Sequence, residues 1–123
     1  MVPKIFYIIY IMKQVYKITY PTGKIYIGKD SVGSARYMGS PDMALINADF
    51  RKLPKEKQLD YTVRKEILWE SEMATEHELS MKEIEFIRKY QSNNPAVGYN
   101  QWPKHLLTGK KARTFPTPKG LLR

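Results

Sequence analysis

Two phenols and one carboxylate are the side chains whose placement could do chemistry in this sequence. Gln14-Val15-Tyr16-Lys17-Ile18-Thr19-Tyr20 and Lys24-Ile25-Tyr26-Ile27-Gly28 flank Pro21-Thr22-Gly23. That pattern reads as two strands, rich in β-branched and aromatic residues, joined by a turn. The length of the turn decides where the tyrosines point. A two-residue turn pairs Thr19 with Tyr26 and sends Tyr16 and Tyr26 to opposite faces. A three-residue turn with Gly23 in the left-handed conformation pairs Ile18 with Tyr26 and brings both phenols to one face. The position of Gly23 favours the second register. The carboxylate is Glu83, which shares a helical row with Leu79, Phe86 and Tyr90, whereas Lys82, Glu85 and Lys89 lie on the other side. Glu83 therefore points inward and Glu85 outward. An inward carboxylate must accept hydrogen bonds, pair with a cation or bind a metal. A phenol titrates near pH 10, so it takes part in proton transfer near neutrality only where its surroundings favour phenolate.

The elements that must hold these groups can be traced along the chain. Thr75-Glu76-His77-Glu78 fits a capping box and opens the helix that carries Glu83. Asn93-Asn94-Pro95 follows its end. Ser40-Pro41-Asp42 predicts an earlier helix, with Ser40 as cap and Pro41 at the first helical position. Met43, Ile46 and Phe50 give that helix its face, and it should end near Leu53, before Pro54. The alternation of Tyr61, Val63, Lys65, Ile67 and Trp69 predicts a third strand. The apolar run from Ile5 to Met12 suggests an additional N-terminal strand. Gly98-Tyr99-Asn100 leads to Trp102, which is expected to pack back on the core. The order of elements predicts a small single α/β domain with a short central, mostly antiparallel sheet flanked by helices. Residues 1–102 make the domain and residues 103–123 a basic C-terminal arm.

Composition narrows the chemistry. The 123 residues contain no cysteine and two histidines. Disulfides, cysteine-ligated zinc, iron–sulfur clusters, thiol nucleophiles and multi-histidine metal sites are excluded. The run from Ile5 to Met12 is too short to cross a bilayer, so no membrane partner and a cytoplasmic location are expected. The net charge is +9 and is unevenly spread. Residues 1–40 carry five lysines and Arg36 against Asp30 alone. Residues 101–123 carry Lys104, Lys110, Lys111, Arg113, Lys119 and Arg123 with no acid, and the middle is nearly balanced. Cationic ends on a small domain suit a polyanion, most often nucleic acid.

Taken together, these residues resemble the GIY-YIG nuclease superfamily. Gln14-Val15-Tyr16, followed by Tyr26-Ile27-Gly28, resembles its paired motifs. Arg36 lies eight residues past Gly28, as the family's arginine does. Glu83, with Phe86-Ile87 after it, resembles the family's glutamate, and Asn100 in Gly98-Tyr99-Asn100 its asparagine. The likeness spans roughly residues 14–102. Tyr37-Met38-Gly39-Ser40 resembles the phage and mobile-element branch, the homing endonucleases among them. The chain departs from the pattern where Gln14 and Val15 replace the first motif's glycine and isoleucine. Single positions have plainer readings: sheet aromatics for Tyr16 and Tyr26, a solvated cation for Arg36, a buried partner for Glu83, a turn former for Asn100.

The resemblance implies a divalent-metal-dependent DNA endonuclease, a phosphodiester hydrolase. Glu83 would bind one Mg²⁺, with Mn²⁺ as a plausible substitute, because a hard cation suits an oxygen donor. Tyr16 would act as general base on water and Tyr26 would position the water or phosphate, with the two roles exchangeable. Arg36 would clamp the phosphoryl oxygens with its planar fork of donors. Asn100 would brace the site. Lys17, Lys24, Arg36 or the metal would favour the phenolate. Double-stranded DNA is the implied partner, contacted by Lys17, Lys24, Lys29, Arg36, Lys104, Lys110, Lys111 and Arg113. Cutting both strands would require a homodimer, sequential attack or reorientation. The setting would be a bacterial or phage-infected cell. The alternative is a non-catalytic nucleic-acid-binding protein that retains the fold. Truncation after Trp102 is expected to lower DNA affinity and flatten its salt dependence in a filter-binding titration; unchanged binding would remove the arm as a contact surface.

Overall fold

The computed structural model describes residues 11–106. The predicted N-terminal strand falls largely, and Lys110, Lys111 and Arg113 fall wholly, outside the described residues. β1 (Lys13–Thr19) and β2 (Ile25–Asp30) form an antiparallel hairpin in which Ile18 lies opposite Tyr26 and Tyr16 opposite Gly28. Gly23 closes the turn at φ 88°, a conformation that favours glycine. The three-residue turn register is therefore the one formed, and both phenols share a face. β3 (Arg64–Ser71) pairs antiparallel with the other side of β1, giving the sheet order β2-β1-β3. Helix α1 (Met43–Arg51) and a 3-10 turn over Lys55–Leu59 precede β3, and helix α2 (Glu76–Tyr90) follows it. The protein is thus a small α/β domain with a short antiparallel sheet between two helices. No helix among the described residues is long and apolar enough to cross a membrane.

Strand alternation supplies each face of the sheet with its own core. Tyr16, Ile18 and Tyr20 pack with Ile46 of α1 and with Tyr99. Val15 and Ile27 pack with Leu79 and Ile87 of α2. The capping box forms as expected: the Glu78 amide donates to Thr75 Oγ1 at 3.0 Å and the Thr75 amide to Glu78 Oε1 at 2.8 Å. The helix stops where Gln91 turns left-handed at φ 60°.

Three expectations need correction. Asp42, not Ser40, caps α1, because its carboxylate reaches the Leu45 amide at 3.2 Å and leaves Pro41 outside the helix. β3 begins at Arg64 rather than Tyr61, and Tyr61 instead packs edge-on against Phe50, with ring centroids 4.9 Å apart. The strand also skips register: Val15 faces Trp69 while Tyr16 faces Ile67, so Leu68 is the extra residue of a bulge. Leu68 then joins the α2-side core and Ile67 is left 42% exposed. Lastly, Trp102 does not return to the core. Pro103 is buried in its place, held by Asn93 Nδ2 donating to the Pro103 carbonyl at 2.7 Å, and the Trp102 indole is 69% exposed.

A polar latch joins the hairpin turn, α1 and the chain beyond α2. Asp49 accepts from Lys24 Nζ at 3.1 Å and from the Tyr99 hydroxyl at 3.0 Å, and Thr22 Oγ1 lies 2.7 Å from that hydroxyl. The Lys24 hydrogen bond, helped by Tyr99, holds the Asp49 carboxyl below the usual carboxylate range. A carboxyl depressed in the folded state adds stability that is present above its unfolded value, near pH 4, and lost as pH falls through the folded one. Asp49→Ala should therefore cost about 1–2 kcal/mol at neutral pH. Thermal unfolding from pH 7 to strong acid should show the gap to wild type closing; a gap independent of pH would remove the ionic part of the latch.

Candidate functional site

β2 is an edge strand, and a short parallel segment covers its outer side. The Ile25 amide donates to the Val97 carbonyl at 3.1 Å, and the Tyr99 amide donates to the Ile25 carbonyl at 2.8 Å. A Cβ on Gly98 would lie 2.6 Å from the Ile25 carbonyl oxygen, so a larger residue could not approach this closely. Asn100 then extends the ladder with its side chain. Its Oδ1 accepts from the Ile27 amide and its Nδ2 donates to the Ile27 carbonyl, both at 2.8 Å. The side-chain amide stands in for a peptide group and fixes the backbone between Tyr26 and Gly28.

Tyr16 lies behind this edge. Its ring packs across Gly28, and its hydroxyl reaches Gly39, so a Cβ at either glycine would collide with the phenol. Gly39 also has φ 74°. Tyr16 is fully buried, and its hydroxyl has no hydrogen-bond partner among the described residues. The Tyr37 ring meets it edge-on at 6.1 Å. Lys65 of β3 places Nζ 4.5 Å from the Tyr16 ring centroid, a cation–π distance. The same ammonium donates to the carbonyls of Ser34, Ala35 and Tyr37 at 3.0, 3.4 and 2.7 Å. Asp30 anchors the start of this loop, accepting from the amides of Val32 at 2.9 Å and Ser34 at 2.8 Å. Asp30 and Lys65 are therefore the residues that fold the Arg36 loop over Tyr16. Sequence reasoning assigned neither a role. The one visible signal for Lys65 was a charge within an alternating strand pattern.

Tyr26, Glu83, Ser40, Asn100 and Trp102 line one open groove of about 440 Å³ beside the β2 edge. Glu83 enters it from α2, while Glu85 faces outward and pairs with Lys82 at 3.1 Å. No hydrogen bond or ion pair joins Glu83 to another described residue. Burial pushes its carboxyl up, and the charge of Lys29 pulls it partly back. Burial also raises the Tyr26 phenol, opposed by a hydrogen bond from the Ser40 backbone. Tyr16 is pushed far above the ordinary phenol range, by burial first and then by Tyr26, Tyr37, Asp30 and Glu83. This is opposite to the lowering expected from Lys17, Lys24 or Arg36. Lys17 lies on the α2 side of the sheet, paired with Glu66 at 3.2 Å and set 4.8 Å from the Tyr90 ring centroid. Lys24 is committed to Asp49. Arg36 is exposed in the loop and does not line the groove.

The site thus brings Tyr26, Glu83 and Asn100 together with Tyr16 behind them, and leaves Arg36 outside. Lys29 lies beside α2, where its Nζ donates to Ser80 Oγ at 2.6 Å. Lys104 is exposed near the chain's end. Among the described residues, no group of three or more His, Cys, Asp or Glu side chains converges. A half-buried carboxylate without a protein partner nonetheless suits a hard divalent cation that keeps water and phosphate oxygens as its other ligands. His77 is exposed, and His105 Nε2 is 2.7 Å from Gln91 Oε1. The chain matches no protein-family model, no curated protein and no solved structure.

Asn100→Ala should lower stability by about 1–3 kcal/mol, because the Ile27 amide and carbonyl both lose their partner. A denaturant midpoint equal to that of wild type would show that the side-chain pairing does not hold β2.

Proposed function

We propose that this protein is a divalent-metal-dependent DNA endonuclease of the GIY-YIG type. The observation that carries the proposal is the groove at the β2 edge, where an unpaired inward carboxylate, Glu83, faces the phenol of Tyr26 and the bracing amide of Asn100. Phosphodiester hydrolysis needs an activated water, charge relief on the phosphoryl oxygens, help for the leaving oxygen, and alignment. Of the two phenols that line the groove, Tyr99 is held by Asp49 and Thr22, so Tyr26 takes the water-facing role. Tyr16, fully buried, becomes the packing support behind it. Burial holds the Tyr26 phenol above its ordinary range and the Ser40 backbone hydrogen bond offsets part of that, so Tyr26 positions the water. Glu83 would hold a Mg²⁺ or Mn²⁺ ion, which when bound supplies charge neutralisation at the phosphate and the leaving 3′ oxygen. Arg36, exposed outside the groove on the loop that Lys65 and Asp30 hold, would clamp the phosphate where bound DNA extends over that loop. Asn100 is committed to the Ile27 peptide of β2 and would brace the site without binding the metal. Lys104 and the basic arm supply backbone contacts to double-stranded DNA.

A non-catalytic nucleic-acid-binding protein is the alternative, favoured by the full burial of Tyr16 and by the place of Arg36 outside the groove. Incubation with supercoiled plasmid separates the two. Wild type should nick or linearise the plasmid with Mg²⁺ or Mn²⁺ and not with chelator. Glu83→Ala should lose about 10²–10³-fold in rate while keeping its DNA affinity. Arg36→Ala should lose rate comparably. Undiminished cleavage by the Glu83 variant would sink the proposed metal site; binding with no cleavage of any DNA form would favour the binder.

A further inference from the structure

The exposed Trp102 is unexplained by the fold. An indole left 69% in water forgoes the stabilisation its large apolar face would gain by burial. Nor does it hang on a loose end. The next residue, Pro103, is buried, and its carbonyl is tied to Asn93 at 2.7 Å, so the backbone carrying the indole is held. The indole lines the same groove as Glu83 and Tyr26. A second groove, of about 530 Å³, shares Tyr99, Asn100 and Gln101 with the first and is lined by Lys24 and Lys104. The two adjoin through those shared residues as one track, in which Glu83, Asp42 and Trp102 line the first groove and Lys24 and Lys104 the second.

We propose that Trp102 is a base-stacking platform and that the track takes a DNA strand unpaired beside the groove, as in a flap, a fork or a single-stranded end. This deepens the nuclease proposal and depends on it only for the role of the Glu83 end. A base inside a duplex already has both faces stacked, so a side-chain indole can cover one only where pairing is lost. Lys104, exposed and lining the adjoining groove, suits the phosphates of the same strand, whereas Lys24 is shared with Asp49. The cations favour a polyanion over an apolar protein face.

The test uses the full chain in chelator, so that cleavage plays no part. Two fluorescently labelled probes are titrated by anisotropy: an oligothymidylate and a blunt-ended hairpin duplex. Trp102→Ala should weaken oligothymidylate binding about tenfold and leave the duplex within about twofold, with Trp102→Phe between wild type and the alanine variant. Tryptophan emission should be quenched by oligothymidylate in wild type and not in Trp102→Ala, where only Trp69 remains. Equal losses on both probes, or no loss on either, would overturn the stacking platform. Selective loss together with a plasmid that is never nicked would leave the platform standing and remove only the nuclease. Failure of wild type to bind either probe would overturn both.

Discussion

The Tyr16 ring lies against the Gly28 backbone, and much of the domain is arranged to keep it there. The contact needs a residue without Cβ at position 28 and the hairpin register that places Gly28 opposite Tyr16. It also needs a loop that can pass close to the phenol, which Gly39 supplies in a left-handed conformation. The loop is drawn down by Lys65, whose ammonium bonds three loop carbonyls while facing the Tyr16 ring. One buried aromatic thereby couples β1, β2, β3 and the loop that carries Arg36. It is also the reason that the phenol is far less acidic than a proton-accepting role would require.

The other edge of the site depends on a different device. Among the described residues β2 has no neighbouring strand on its outer side, and an open edge leaves backbone groups unpaired. The segment through Gly98 and Tyr99 satisfies part of that edge, and the Asn100 amide satisfies the next part. Because a side chain rather than another strand completes the ladder, the space beyond Ile27 stays open. Glu83 reaches that space from α2, and Trp102 borders it. One side-chain amide thus completes the ladder and also lines the groove on which the proposed chemistry rests.

Several parts of this arrangement were legible in the sequence. Gly23 indicated the turn, and the turn determined that Tyr16 and Tyr26 share a face. The Thr75 and Glu78 pair marked the start of α2, and helical spacing separated inward Glu83 from outward Glu85. The errors arose where neighbouring residues offered equivalent local choices. Ser40 and Asp42 are both good caps, and contact with the Leu45 amide selected Asp42. The third strand's alternation continued smoothly through Ile67 and Trp69, but a bulge at Leu68 put Trp69 with Leu68 against the α2-side core and left Ile67 exposed. Trp102 looked like a core residue by type, yet the smaller Pro103 occupies the buried position.

The sequence by itself determined the local order of elements, the face of each strand and helix, and the candidate residues, because turn geometry, capping and periodicity act over a few residues. Tertiary structure alone decided which phenol meets the groove and what holds the Arg36 loop. It also decided what Asn100 binds and that Lys17 and Lys24 are spent on Glu66 and Asp49. Those outcomes depend on contacts between residues tens of positions apart, and on burial, which shifts a phenol or carboxyl through desolvation by the whole surrounding fold.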